Sequence, residues 1–365
     1  MITKPKDAKQ YNRIKIRLKL LEIVITIVYL GLFQFFLSFP LKEFAFSYTP
    51  NIYGAFTIYL VGFMFLCYII SFPLSFYSGF ILEHRFGLSN QRFFDWALDD
   101  TKKGLLSLGL YLMFIQVLYI FLRNFPTNWW VWIAGFWFVA TIFLAKVSPT
   151  LIVPLFFKCQ PVDEKLKKSV LELSKACGIK ILDVYKIDFS KKTNKLNAAV
   201  VGLGNTRRVL LADNLINDFN QKEINGVLAH EFGHHKMMHM WKMLIFSCVL
   251  FLFSFYVLFL ASLRVASLLS ASGVSDIAIF PTFMMILFLI GFLTMPLQAG
   301  FSRRLERHAD IFALKVTEDK NAFISLMTKL RDRNLADPNP SKLIKFLFYD
   351  HPPIAERIER ARKFK

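Results

Sequence analysis

The chain has 365 residues, 55% of them apolar, with 41 phenylalanines and a formal net charge of +19 at pH 7. That apolar content, gathered in long runs, excludes an ordinary soluble enzyme and calls for a bilayer. The positive charge would suit nucleic acid, but it clusters beside the apolar runs, where membrane orientation and attraction to anionic lipid account for it, so no nucleic-acid partner is expected.

Six stretches are long enough to cross a membrane, for which a helix needs about 20 residues: 18–39, 53–80, 105–122, 129–157, 243–263 and 277–301. The first is too long for a cleavable signal peptide, and no small-residue cleavage site follows it. Lys4, Lys6, Lys9, Arg13, Lys15 and Arg17 crowd the N-terminal tail, whereas the loops after the first, third and fifth spans hold only Lys42, Arg123 and Arg264. This bias predicts both termini in the cytoplasm. A short outer loop is expected after 39, ending at Thr49-Pro50-Asn51, and Pro73 predicts a kink in the second span. Trp129, Trp130, Trp132, Phe136 and Trp137 read as an interfacial aromatic belt. Cys67, Cys159, Cys177 and Cys248 show no paired spacing and are assigned neither a disulfide nor a metal.

From Lys158 the composition changes to that of a soluble domain, with a helix over 163–177 and short β-rich runs at 181–187, 198–201 and 209–212. The stretch NAAVVGLG, 197–204, reads as a strand ending in glycine turns. Two readings stand for it: an exposed strand that holds an extended substrate by main-chain pairing, or a purely structural sheet.

The chemistry concentrates at 228–239, LAHEFGHHKMMH. Asn220, Gln221 and Glu223 read as a helix start, and on that helix His230 and His234, four apart, aim both imidazoles at one point. Neutral imidazole is a preferred zinc ligand, and Glu231 is placed as general base toward the water that zinc activates. The helix is expected to run with little interruption into the fifth span, which puts the site at the cytoplasmic membrane surface. A catalytic zinc usually has three protein ligands and an open position. After the sixth span, SRRLERHADIFALK at 302–315 places Glu306 and Asp310 on one helical face. Glu306 completes a His, His, Glu set, and Asp310 serves as the acceptor that fixes a ligand imidazole. Two spans separate His234 from Glu306, so both lie on the same membrane side. His308, His235 and His239 are left out of the ligand set. After a break at Asp337-Pro338-Asn339-Pro340, His351 and Arg357 are candidates to stabilise the oxyanion, ahead of and within a basic helix over 354–365.

These features describe an all-α polytopic membrane protein of about six transmembrane helices with an inserted small α+β zinc metalloprotease domain. The expected divisions are 1–157 with four spans, 158–242 with the HExxH helix, 243–301 with two more spans, and 302–365 with the third ligand. From Ser71 to the C-terminus, the stretches SFPLSFYSGFILEHRFGLSNQ, SPTLIVPLF, NAAVVGLG, AHEFGHH, RRLERHAD and HPPIAER occur in one order. With them the chain resembles the integral-membrane zinc metalloproteases that include the type I CAAX prenyl protease, of the gluzincin type. The resemblance implies one Zn2+ on His230, His234 and Glu306, Glu231 as base, and Asn197, His351 and Arg357 contacting or polarising substrate. It also implies a helical barrel around a large water-filled chamber. Eukaryotic enzymes of this type look like seven-span proteins, whereas six spans are counted here, and His235 stands where the prenyl protease usually has Trp. These departures suit a bacterial relative in an inner membrane rather than the endoplasmic reticulum.

The expected substrate is a peptide or protein, prenylated at its C-terminus or membrane-associated. The alternatives are a broad quality-control protease resembling HtpX and a non-catalytic membrane scaffold with a structural zinc. A scaffold would be expected to fill all four zinc positions with side chains, often Cys, and no cysteine is near.

Overall fold

The computed structural model describes residues 5–202 and 204–364; Lys4 of the basic tail, Leu203 of the 197–204 stretch and Lys365 of the last helix lie outside the described residues. Among the described residues six helices are long and apolar enough to cross a membrane: Asp7–Tyr48, Ile52–Arg85, Phe93–Asn124, Trp129–Phe156, His239–Leu268 and Ile277–Thr317. Each expected span falls on one of them. The first differs at its outer end, because helix continues past Pro40 where a loop is expected and stops only at Thr49. A π-helical turn, Phe33–Leu37, lies just before Pro40. It widens the ladder where a proline without an N–H would otherwise clash with the preceding turn. Asn51 then opens the second span, its side-chain oxygen accepting from the Tyr53 and Gly54 amides at 3.0 Å. Helix likewise continues through Pro73, and the irregularity takes the form of a π-helical turn at Tyr77–Ile81.

The spans form a ring. Each packs on the next in chain order, and the sixth closes on the first. No residue is buried over 12–28, 64–81, 100–113, 135–148, 245–254 or 284–298, the midsection of every span. A helix with lipid on one side and a packed core on the other would bury a stripe there. Its absence from all six means that their inner faces line open space, so the ring encloses a chamber.

A packed core lies at each end of the chamber. At the end away from the α+β unit Phe33, Phe56, Tyr59, Tyr119, Phe280 and Phe283 pack with Trp129, which is only 1% exposed against Phe255 and Phe259. Trp129 therefore anchors a core instead of joining an interfacial belt, because it packs against the Phe255 and Phe259 rings; Trp132 is 48% exposed. Several polar groups within this core are paired, although the buried Tyr119 hydroxyl finds no partner among the described residues. Gln34 donates to the Ala278 carbonyl at 2.9 Å and accepts from the Thr282 hydroxyl at 2.8 Å, while Lys42 meets Asp276 at 2.6 Å.

At the other end sits the α+β unit. Its four strands, β1 (Cys159–Pro161), β2 (Asp183–Ile187), β3 (Ala198–Val201) and β4 (Arg208–Ala212), are ordered β1-β2-β4-β3. β2 and β4 run parallel, and β1 and β3 are antiparallel edges. β1 leaves no mark in the sequence, because three residues ending in proline carry no alternation. The core beneath the sheet draws on Val184, Val209, Leu228 and Phe232 and equally on Phe323, Leu326 and Ala361 from the far side of the last two spans. The N-terminal helix docks here too: Tyr11 donates to Glu83 at 2.6 Å, Lys195 meets the same carboxylate at 2.6 Å, and Asn12 donates to the Leu335 carbonyl at 2.6 Å.

The HExxH helix, Gln221–Lys236, starts where expected, at a reciprocal cap. Asn220 accepts from the Glu223 amide at 3.0 Å and Glu223 accepts from the Asn220 amide at 2.9 Å. The Glu223 carboxylate also accepts from Lys329 at 2.7 Å and Ser325 at 2.6 Å, tying the helix to Lys320–Arg333. Burial would raise its pKa, but Lys329, Ser325 and the Asn220 amide together hold it below the usual range. A carboxylate so lowered stabilises the fold above its unfolded value, near 4.3, and loses that contribution as pH falls through the lower folded value. Glu223→Gln should therefore cost about 1–2 kcal/mol at neutral pH. The check is the unfolding midpoint in detergent, where the gap from wild type should shrink below about pH 4.

Candidate metal centre

His230 and His234 stand one turn apart, with their Nε2 atoms 3.2 Å from each other. Glu306 faces them from the helix Phe280–Thr317, its Oε2 3.3 Å from His230 Nε2 and its Oε1 3.2 Å from His234 Nε2. Tetrahedral zinc with bonds of about 2.0–2.1 Å needs donor atoms about 3.3–3.4 Å apart; the two imidazole nitrogens are close to that, each has one oxygen of the Glu306 carboxylate at a similar distance, and one donor atom from each of the three residues lies within 4.8 Å of the other two. Glu306 Oε2 is buried without a hydrogen bond, an acceptor that a cation would satisfy. The donor set thus fits a metal ion.

Two sequence features bring the halves together. The helix carrying Glu306 is 38 residues long, about 57 Å at 1.5 Å per residue, so it crosses the bilayer and continues into the α+β unit without a joint. Gly233 lets it come close: a Cβ there would lie 3.0 Å from the Phe312 ring. A larger residue would require the Phe312 side chain to give by a few tenths of an ångström.

Behind the triangle, Asp310 Oδ1 is 3.0 Å from His230 Nδ1 and takes Arg357 Nη2 at 2.5 Å, while Arg357 Nε donates to Asp310 Oδ2 at 3.0 Å. Asp310 and Arg357 are both buried. Burial opposes a charge on His230, but Asp310 and Glu306 outweigh it and push the ring up to about 9. A metal bound there displaces that proton.

The remaining expected residues are placed unevenly. Glu231 is half-buried, and among the described residues no hydrogen bond engages its carboxylate. His351 Nε2 is 3.4 Å from Glu306 Oε1, with its Nδ1 2.9 Å from Asp350, whose hydrogen bond raises the ring's pKa. Arg357 is spent on Asp310, on the far side of His230. Asn197 is exposed immediately before β3. Because the Asn197 carbonyl accepts from Ala212, alternation turns Ala198 and Val200 to the open side of that edge strand. Val200's carbonyl is taken by His235 Nε2 at 3.1 Å, and Ala198 is left unpaired among the described residues.

One expectation fails. The HExxH helix does not run on into the fifth span; it ends at Lys236, and Met238 is left-handed at φ 56° before helix resumes at His239. No glycine or proline marks the break, so the sequence is silent on it. The break brings the His239 Nδ1 to 3.0 Å from His234 Nδ1, a contact that uninterrupted helical spacing would not make.

Residues 161–365 match the sequence profile of peptidase family M48, and residues 3–158 match that of the CAAX prenyl protease N-terminal domain, described as five membrane helices. The chain belongs to peptidase family M48. Among M48 relatives, it is 33% identical over 313 residues to CAAX prenyl protease 1 of Saccharomyces cerevisiae, covering 80% of this chain and 68% of the yeast protein. It is 29% identical over 312 residues to the metalloprotease YhfN of Bacillus subtilis, covering 83% and 73% respectively. The crystal structure of S. mikatae Ste24p superposes with a TM-score of 0.84 at 25% identity, over 97% of this chain and 87% of that one. This M48 member is a multi-pass membrane metalloprotease of the CAAX prenyl protease type. Its N-terminal region holds four spans where the family's has five, and its ring closes all the same.

Asp310→Ala leaves the Arg357 guanidinium buried without its partner, and should cost about 3–5 kcal/mol. Thermal unfolding in detergent measures this, and Asp310→Asn, which keeps an acceptor, should lose less.

Proposed function

We propose that this chain is a zinc endopeptidase that cuts near the C-terminus of prenylated or membrane-associated proteins. The observation that carries the reading is the triangle of His230, His234 and Glu306 beside the unengaged carboxylate of Glu231. In this reading 158–242 and 302–365 act as one protease unit, and 1–157 and 243–301 as its membrane ring. Three further inferences complete it: the active site and both termini face the cytoplasm, the membrane is a bacterial inner membrane, and the chamber gives a lipidated segment room beside the site. The name of the yeast relative supports the prenylated substrate, the basic N-terminal tail supports the sidedness, and the four-span N-terminal region and the Bacillus relative support the bacterial setting.

His230, His234 and Glu306 would hold the ion. Zinc, when bound, polarises the scissile carbonyl and acidifies a water molecule. The substrate pairs along β3 at Ala198, with Asn197 beside it, and this fixes the scissile bond against the HExxH helix. Glu231 takes the proton from the attacking water and passes it to the leaving amine. His351 donates to the oxyanion that develops on the carbonyl oxygen. Arg357 adds positive charge nearby and locks Asp310 on His230, which keeps that ring aimed at the ion.

Glu231→Gln should lower cleavage at least about 10²-fold while zinc content stays near one per chain. Glu306→Ala should lose both zinc and rate after dialysis against a mild chelator, and full metal retention would move the third ligand elsewhere. The substrate is tested with one CAAX-ending peptide, farnesylated and bare, using Glu231→Gln as blank. Cleavage of the farnesylated form just after its cysteine is the expected result. Equal or scattered cutting of the bare form would keep the zinc chemistry and replace the task with broad quality-control proteolysis.

A further inference from the structure

We infer that His239, the first residue of the fifth span, is a positioning residue that holds His234 in its metal-binding orientation; the inference rests on the zinc reading of the site. His234 presents Nε2 to Glu306 and to His230, each at 3.2 Å. An imidazole that binds a metal through Nε2 carries its proton on Nδ1 and needs an acceptor there. That atom lies 3.0 Å from His239 Nδ1, the two rings crossing at 77°. With His234 donating, His239 accepts and keeps its own proton on Nε2, which is buried and has no hydrogen-bond partner among the described residues.

The acceptor is built in. His239 is 2% exposed. Along one continuous helix it would sit about 140° round the axis from His234, at 100° per residue. The left-handed Met238, a conformation that side-chain-bearing residues rarely adopt, is what turns the ring back. His230 has a different partner for the same task, the Asp310 carboxylate at 3.0 Å. The two histidines are thus held by unlike groups, an anion on one and a neutral ring on the other. Moreover, the neutral ring belongs to a membrane helix, His239–Leu268, so the ring of spans contributes directly to the centre.

The test uses the full-length protein in detergent with His239→Asn, which keeps an acceptor near the Nδ1 position, and His239→Leu, nearly the same size without one. The zinc dissociation constant is read by chelator competition, and the visible spectrum is read after cobalt(II) substitution. His239→Leu should weaken zinc about 10- to 100-fold and shift the cobalt spectrum, with His239→Asn recovering most of both. Equal zinc affinity and equal spectra in the pair would overturn the assignment. His239→Phe, which keeps an aromatic ring but no acceptor, is the second variant if His239→Leu does not fold; wild-type affinity and spectrum in it would overturn the assignment equally. Failure of the wild type itself to bind one zinc would instead overturn the metal reading.

Discussion

The close approach of two helices at Gly233 is the constraint on which the rest depends. One helix carries the HExxH motif and the other carries Glu306 and Asp310, and the missing side chain lets the Phe312 ring pack where a Cβ would collide. The triangle of donor atoms is a direct result of that contact. So is the pair behind it, because Asp310 reaches His230 only when the helices are this close, and Arg357 then closes over Asp310 from the last helix, Ile354–Lys363. A chain that buries an aspartate and an arginine this deeply must keep them together. The fold of the C-terminal segment is thereby coupled to the integrity of the centre.

The ring of spans serves two ends at once. Its inner faces carry no buried stripe over their midsections, yet an aromatic core packs at one end of the ring and the α+β core at the other. Such a wall can be hollow because each helix satisfies its own backbone hydrogen bonds, and side chains alone must suit lipid outside and the chamber inside. Four N-terminal spans are enough to close it here, since each span finds a neighbour on both sides.

Much of the architecture was legible beforehand. Spans are visible because a bilayer demands about 20 apolar residues in a row, and the capping residues Asn220 and Glu223 mark the HExxH helix by their hydrogen-bonding chemistry. The His230 and His234 pair was legible because spacing on a helix is a geometric statement, and Glu306 came into view because an even number of spans returns it to the same membrane side. The joint at Met238 was not legible, since a left-handed methionine is imposed by what surrounds it and not by its own preference. Nor was the placing of Trp129 in a core, because an aromatic residue at a helix start is equally at home in an interface or against Phe255.

The sequence by itself determined which stretches enter the membrane, which side chains carry metal-binding chemistry and which family the chain resembles, all of these being properties of composition and local spacing. Tertiary structure alone decided that the inner faces stay unpacked, that Arg357 is committed to Asp310, that His235 covers Val200 on the edge strand, and that His239 returns to His234. Each of these depends on the relative placement of elements distant along the chain or across a break in the helix, which local periodicity does not encode.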